Sequence, residues 1–164
     1  MFGKSKELKQ KEEQINKITE MLYLQISAAS NKAREGQLPE DLLNKRINSM
    51  LSAGYLLGFV DEILTVLFDN KSQKKKYYKK IFNNIFPKSG SVLLESKLSA
   101  RRIAENILPD SEHYIDVVME TSNFDCGESA GRLEICEWAT DKTYEPHLLR
   151  DYLITGETKK VEVG

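Results

Sequence analysis

Two stretches of this 164-residue chain place glycines four residues apart, with an acid three residues further on. One reads Gly54-Tyr-Leu-Leu-Gly58-Phe-Val-Asp61 and the other Gly127-Glu-Ser-Ala-Gly131-Arg-Leu-Glu134. Both contain Ser-Ala-Gly, at Ser52 to Gly54 and at Ser129 to Gly131. On a helix the two glycines and the acid share one face. Each interior glycine costs about 0.8–1.0 kcal/mol relative to Ala. Four of them cost roughly 3–4 kcal/mol, a large part of a typical stability near 5–15 kcal/mol. Close backbone approach offsets such a cost, because a missing Cβ lets helices pack nearer than the usual 8–10 Å or so. The spacing therefore predicts that Gly54 and Gly58 face a neighbouring helix, the one carrying Gly127 and Gly131.

Apolar periodicity places helices along the rest of the chain. Ile15, Ile18, Leu22, Ile26, Ala29 and Ala33 step by three or four residues, and Gly36 stands where a helix would stop. The turns before Ile15 are almost wholly polar, so 1–14 is read as a segment able to fray or project. Pro39, Glu40 and Asp41 open a second helix, read as continuous to Asp69 and apolar nearly all round from Leu51. Further helices are expected over 73–86, 92–107, from Pro109, over 123–139 after Ser122-x-x-Asp125, and from Pro146 to Gly156. The sum is an all-α, single-domain helical bundle of six or seven helices. In it the long central helix 39–69 packs on helix 123–139, residues 1–156 form the domain and 157–164 form a loose tail. The repeated glycine pattern raises the idea of a duplication. The unequal run from Pro39 to Ser52 and from Pro109 to Ser129 argues against it.

Leu51 to Phe68 is long enough to cross a membrane. Asp61 and Glu62 lie inside it, and a mid-membrane carboxylate costs roughly 2.5–3.5 kcal/mol, so a buried core helix is the reading. No apolar stretch follows the early lysines as in a secretory signal. Cys126 and Cys136 lie ten residues apart on one expected helix, too far apart for a disulfide. They are read as buried free thiols in a cytoplasmic protein.

Chemistry-bearing motifs are sparse. Glu134-x-x-Glu137 has no matching Glu-x-x-His partner for a dinuclear metal site. His113 and His147 stand near no nucleophile motif, and Asp125 beside Cys126 opposes a lowered thiol pKa. The glycine pairs lack the Lys-Ser/Thr that follows a phosphate loop. No catalytic residue, metal or cofactor is assigned, and the pattern favours a non-enzymatic role. If the glycine faces meet, Asp61 and Glu134 fall beside the crossing. With Arg132 they then form either a polar pocket for a metal or cationic ligand, or a set of structural ion pairs.

Charge is segregated although the formal net charge is only -1. Residues 71–102 hold ten bases and one acid, whereas 105–151 hold twelve acids and three bases. Lys74, Lys75, Lys76, Lys79 and Lys80, with Arg101 and Arg102, form a candidate nucleic-acid surface. Tyr77 and Tyr78 interleave with these lysines but fall on the apolar side with Ile81 and Phe82. The alternative is that the basic segment packs beside the acidic one or mates with it across a symmetric dimer. The leading expectation is an interaction protein that self-associates or binds a protein partner, and nucleic-acid contact and a small-molecule or metal pocket near Asp61 and Glu134 are the alternatives.

Overall fold

The computed structural model describes residues 3, 5–86, 95, 96, 98–100, 110–112 and 114–158. Among these residues the chain is helical and contains no strand. The elements are α1 (Lys6–Arg34), α2 (Glu40–Ile47), α3 (Met50–Leu67), α4 (Lys71–Ile85), α5 (Tyr114–Thr140) and α6 (Leu148–Thr155). The all-α expectation holds. Most of the expected helix 92–107, and Arg101, Arg102 and Pro109 with it, lies outside the described residues, as does the tail beyond Thr158.

Helix α1 starts where a side chain can cap it. Ser5 Oγ accepts the Leu8 amide at 3.2 Å, so the polar first turns are helical from Lys6 onward. Ile15, Ile18, Leu22, Gln25 and Ala29 form the buried stripe. Gly36 ends the helix at φ +74°, with the Gly36 amide bonded to Ala33 O and the Gln37 amide to Lys32 O. That is the six-to-one and five-to-two closure of a left-handed C′ residue.

The expected single helix 39–69 is in fact two. Ser49 is extended and caps α3 by accepting the Ser52 amide at 3.2 Å. The hydroxyls of Ser49 and Ser52 both donate to Arg46 O at 2.7 Å. Side-chain hydroxyls thus take over the terminal carbonyl of α2 and end its ladder at Asn48. The opposite correction applies to α5. Ser122 was expected to start a helix there, but it lies exposed inside one continuous 27-residue helix. A solvent-facing serine with no proline or glycine beside it has no reason to break the ladder. At the chain's other end, α6 starts at Leu148, two residues after Pro146, and stops at Gly156, φ +74°.

Helices α3 and α5 form the centre. Gly54 approaches Phe124 and Glu128, Gly58 approaches Glu128, Gly127 approaches Leu51 and Tyr55, and Gly131 approaches Tyr55 and Phe59. Positions rise together on both helices, so they cross in parallel. The other helices pack against this pair chiefly on the α3 side, and Tyr55, Phe59, Leu64, Phe82, Phe124 and Ile135 fill the interior with the α1 stripe. Helix α3 is long and apolar enough to cross a bilayer, yet 56% of it is buried inside the protein, as in a core helix.

Alanine substitutions separate the two uses of glycine. Gly36→Ala has free space but a left-handed backbone, and should lose about 1–2 kcal/mol. A Cβ on Gly58 would meet Glu128 O at 2.2 Å. Gly58→Ala should therefore lose about 3 kcal/mol or more despite alanine's better helix propensity. Urea denaturation of both variants measures the difference.

Candidate functional site

The expected glycine crossing is present, and its geometry is reciprocal. A Cβ built on Gly54, Gly58, Gly127 or Gly131 would stand 2.1–2.2 Å from a carbonyl oxygen of the opposite helix. Only hydrogen fits in that space. The Cα–H groups therefore lie against carbonyls, a contact worth about 0.5–1 kcal/mol each in condensed phase. Gly54 and Gly58 on α3 stand to Phe124 and Glu128 as Gly127 and Gly131 on α5 stand to Leu51 and Tyr55. The pair has a local two-fold pattern.

The acids beside the crossing do not share one pocket. Asp61 sits on the α4 side. It accepts a hydrogen bond from the Tyr78 hydroxyl and forms an ion pair with Arg132 Nη2 at 2.9 Å. Arg132 Nη1 reaches Glu62 at 2.9 Å, and Nη2 reaches Glu128 at 3.3 Å. The guanidinium thus occupies the space between three carboxylates where a cationic ligand was one expectation. Burial alone would lower the Arg132 pKa, but its bonds to Asp61 and Glu62 outweigh burial and raise it. Burial first, then Asp61, pushes the Tyr78 hydroxyl far above its ordinary value. Each member of the cluster is about a third exposed, so its net contribution is modest.

Glu134 faces away from this cluster, toward α6, and is fully buried. It accepts from the Tyr55 hydroxyl at 2.8 Å, the Tyr144 hydroxyl at 2.7 Å, the His147 amide at 2.9 Å and the Leu148 amide at 2.7 Å. The last two are free amides at the N-terminus of α6, so a carboxylate from α5 caps that helix. Tyr55 is also bonded by Gln25 Nε2 at 2.9 Å, and Gln25 Oε1 accepts the Arg150 amide at 3.0 Å. Burial and the nearby Glu134 charge push the Tyr55 hydroxyl up, and the same causes act on Tyr144. The expected grouping of Asp61, Glu134 and Arg132 is therefore corrected to two separate networks. Gln25, Tyr55, Tyr78 and Tyr144 were missed. Only Gln25 gave a sequence signal, as a polar residue in step with Ile18, Leu22 and Ala29.

The thiols are also corrected. Cys126 and Cys136 share α5 as expected, but both are exposed rather than buried. Burial and the Glu62 carboxylate 3.8 Å away push the Cys136 thiol up, which disfavours a reactive thiolate. His147 Nδ1 lies 2.7 Å from Asp151 and serves α6 locally. His113 lies outside the described residues. Among the described residues no three His, Cys, Asp or Glu side chains gather as for a metal ion.

Two surfaces remain. An open trough of about 1030 Å³ runs beside α5, lined by Leu51, Val118, Ala130, Leu133, Leu148 and Tyr152 among others. The second is the outer face of α4, where Lys75, Lys76, Lys79 and Lys80 are exposed and Lys74 is half-buried against Thr65. Tyr77 is buried, as its place on the apolar side required. Comparison with protein families, curated proteins and solved structures gives no match for this chain.

Removing the Glu134 carboxylate should loosen α6. Glu134→Ala leaves two hydroxyls and two amides without an acceptor and should lose about 3 kcal/mol or more, whereas Tyr144→Phe should lose about 1 kcal/mol. Urea denaturation checks both. Burial raises the Asp151 pKa, but bonds to His147 and Arg150 overcome it and hold the carboxyl below its ordinary value. Its stabilisation is therefore present above the usual carboxylate range and lost as pH falls through the depressed value. The stability gap between wild type and Asp151→Asn, under about 1 kcal/mol, should close over that same acidic window.

Proposed function

We propose that this chain is a non-enzymatic helical interaction protein that self-associates through the outer face of α5. One observation carries the reading. Opposite the glycine crossing, Ile115, Val118, Ser122, Cys126, Ser129 and Leu133 follow one another at three- and four-residue steps, and all are exposed. A surface helix normally turns charge toward solvent there, but this stripe has none. Ile115 is 72% exposed and Leu133 39%, so the face is apolar at both ends and small at its centre.

A two-fold contact between identical chains sets residue i of one copy against residue j of the other and j against i, and this stripe meets itself in that way. Antiparallel pairing about Cys126 sets Val118 of one copy against Leu133 of the other. Ser122 and Ser129 then let the helices close at the centre. Asp116, Glu120 and Glu137 stand exposed on the same helix with one sign of charge. Salt screens their repulsion, so the contact tightens as ionic strength rises. Two exposed free thiols suit a reducing compartment, and the cytoplasm remains the proposed location.

Velocity sedimentation of the purified chain at tens of micromolar should give a dimer whose share grows with salt. Val118→Glu with Leu133→Glu should give a monomer of unchanged helical circular dichroism. Mild oxidation should cross-link the wild type and Cys136→Ser but not Cys126→Ser. A monomer at every salt concentration sinks the reading.

A further inference from the structure

We infer that the outer face of α4 is a docking surface for the phosphate backbone of duplex nucleic acid, a site separate from the α5 stripe. Lys71, Lys75 and Lys79 form one exposed row and Lys76 and Lys80 a second. Each row advances about 6 Å per step at four residues per step. Helix α4 contains no acid. Among the described residues no carboxylate lies within ion-pair distance of these five lysines. Among the described residues of 105–151, no acid is ion-paired to them. Asp69 stands exposed at the N-terminal end of the helix, and Glu12 accepts the Tyr77 hydroxyl at 3.0 Å on the inner side.

The rest of the face selects the partner. Its other exposed residues are Ser72, Gln73, Asn83 and Asn84, all polar. A protein partner needs an apolar centre to bury, and a helix lying in a membrane interface needs apolar side chains to insert. This face offers neither. Phosphate contacts need only cations and hydrogen-bond donors, which lysine and asparagine supply. Single-stranded nucleic acid is recognised through aromatic stacking. Here Tyr77 is 2% exposed beneath the Lys76 and Lys80 ammoniums, which stand 5.5 and 5.9 Å from its ring centre. Tyr78 is held by Asp61. With neither tyrosine free to stack, the surface fits a duplex read by charge and without sequence preference.

Fluorescence anisotropy with a labelled two-turn DNA duplex of mixed sequence, titrated with the full chain, tests this. Five neutralised phosphates give a log–log salt slope of about -4 to -5, so a four-fold rise in salt weakens binding about 500-fold. Lys75→Ala with Lys79→Ala should flatten the slope by about two and leave sedimentation and helical content unchanged. Three results overturn the inference: no duplex binding at low salt, tighter binding of a single strand of the same length, or an unchanged slope in the double variant. Capture by anionic phospholipid vesicles without duplex binding overturns it too and points to a lipid surface. Because duplex binding weakens with salt while self-association strengthens, failure of one reading leaves the other measurable.

Discussion

The architecture depends on four hydrogen atoms. At Gly54, Gly58, Gly127 and Gly131 the side chain is absent where the opposing backbone carbonyl stands 2.1–2.2 Å from the place a Cβ would take. No other residue lets α3 and α5 approach so closely. The helix-propensity cost of the glycines is offset by backbone-to-backbone contact along the crossing. Because the crossing is parallel, the chain returns between the end of α3 and the start of α5, and α4 begins that return. That return leaves α4 on the flank, with its inner side in the core and its outer side in water.

The crossing also determines what the nearby polar groups can do. Asp61 and Glu134 hold equivalent places in the two glycine segments, but different neighbours flank them. Asp61 meets Tyr78 and Arg132, while Glu134 meets Tyr144 and the start of α6. Equivalent positions in a two-fold pair thus acquire distinct duties from whatever packs outside it. Glu134 is buried only because two tyrosines and two amides converge on it. In turn it holds an eight-residue helix that would be marginal alone.

Much of this is legible in the sequence where the signal is local or sterically unique. The glycine spacing identified the two helices that meet, and apolar periodicity placed α1 and α4. Gly36 and Gly156 marked real helix ends. Helix continuity was harder to read, because Ser49 and Ser122 have the same chemistry and only their surroundings differ. Ser49 finds a helix end to bond, whereas Ser122 faces water within an intact ladder. The partners of Glu134 were illegible for another reason. Tyr55 on α3, Tyr144 after α5 and the amides of His147 and Leu148 come from separate segments, and a convergence of that kind leaves no spacing to detect. The exposure of Cys126 and Cys136 followed from which side of α5 the glycines occupy, a deduction the helical wheel already permitted.

The parallel crossing has a consequence for biosynthesis. Gly127 follows Gly54 by 73 residues, so at about 5–20 residues per second α3 leaves the ribosome some 4–15 s before its partner exists. During that interval the glycine face of an apolar segment of membrane-spanning length lacks its partner. Only the arrival of α5 covers it. Expression of this chain should therefore be governed less by the stability of the finished fold than by what shelters α3 while translation continues.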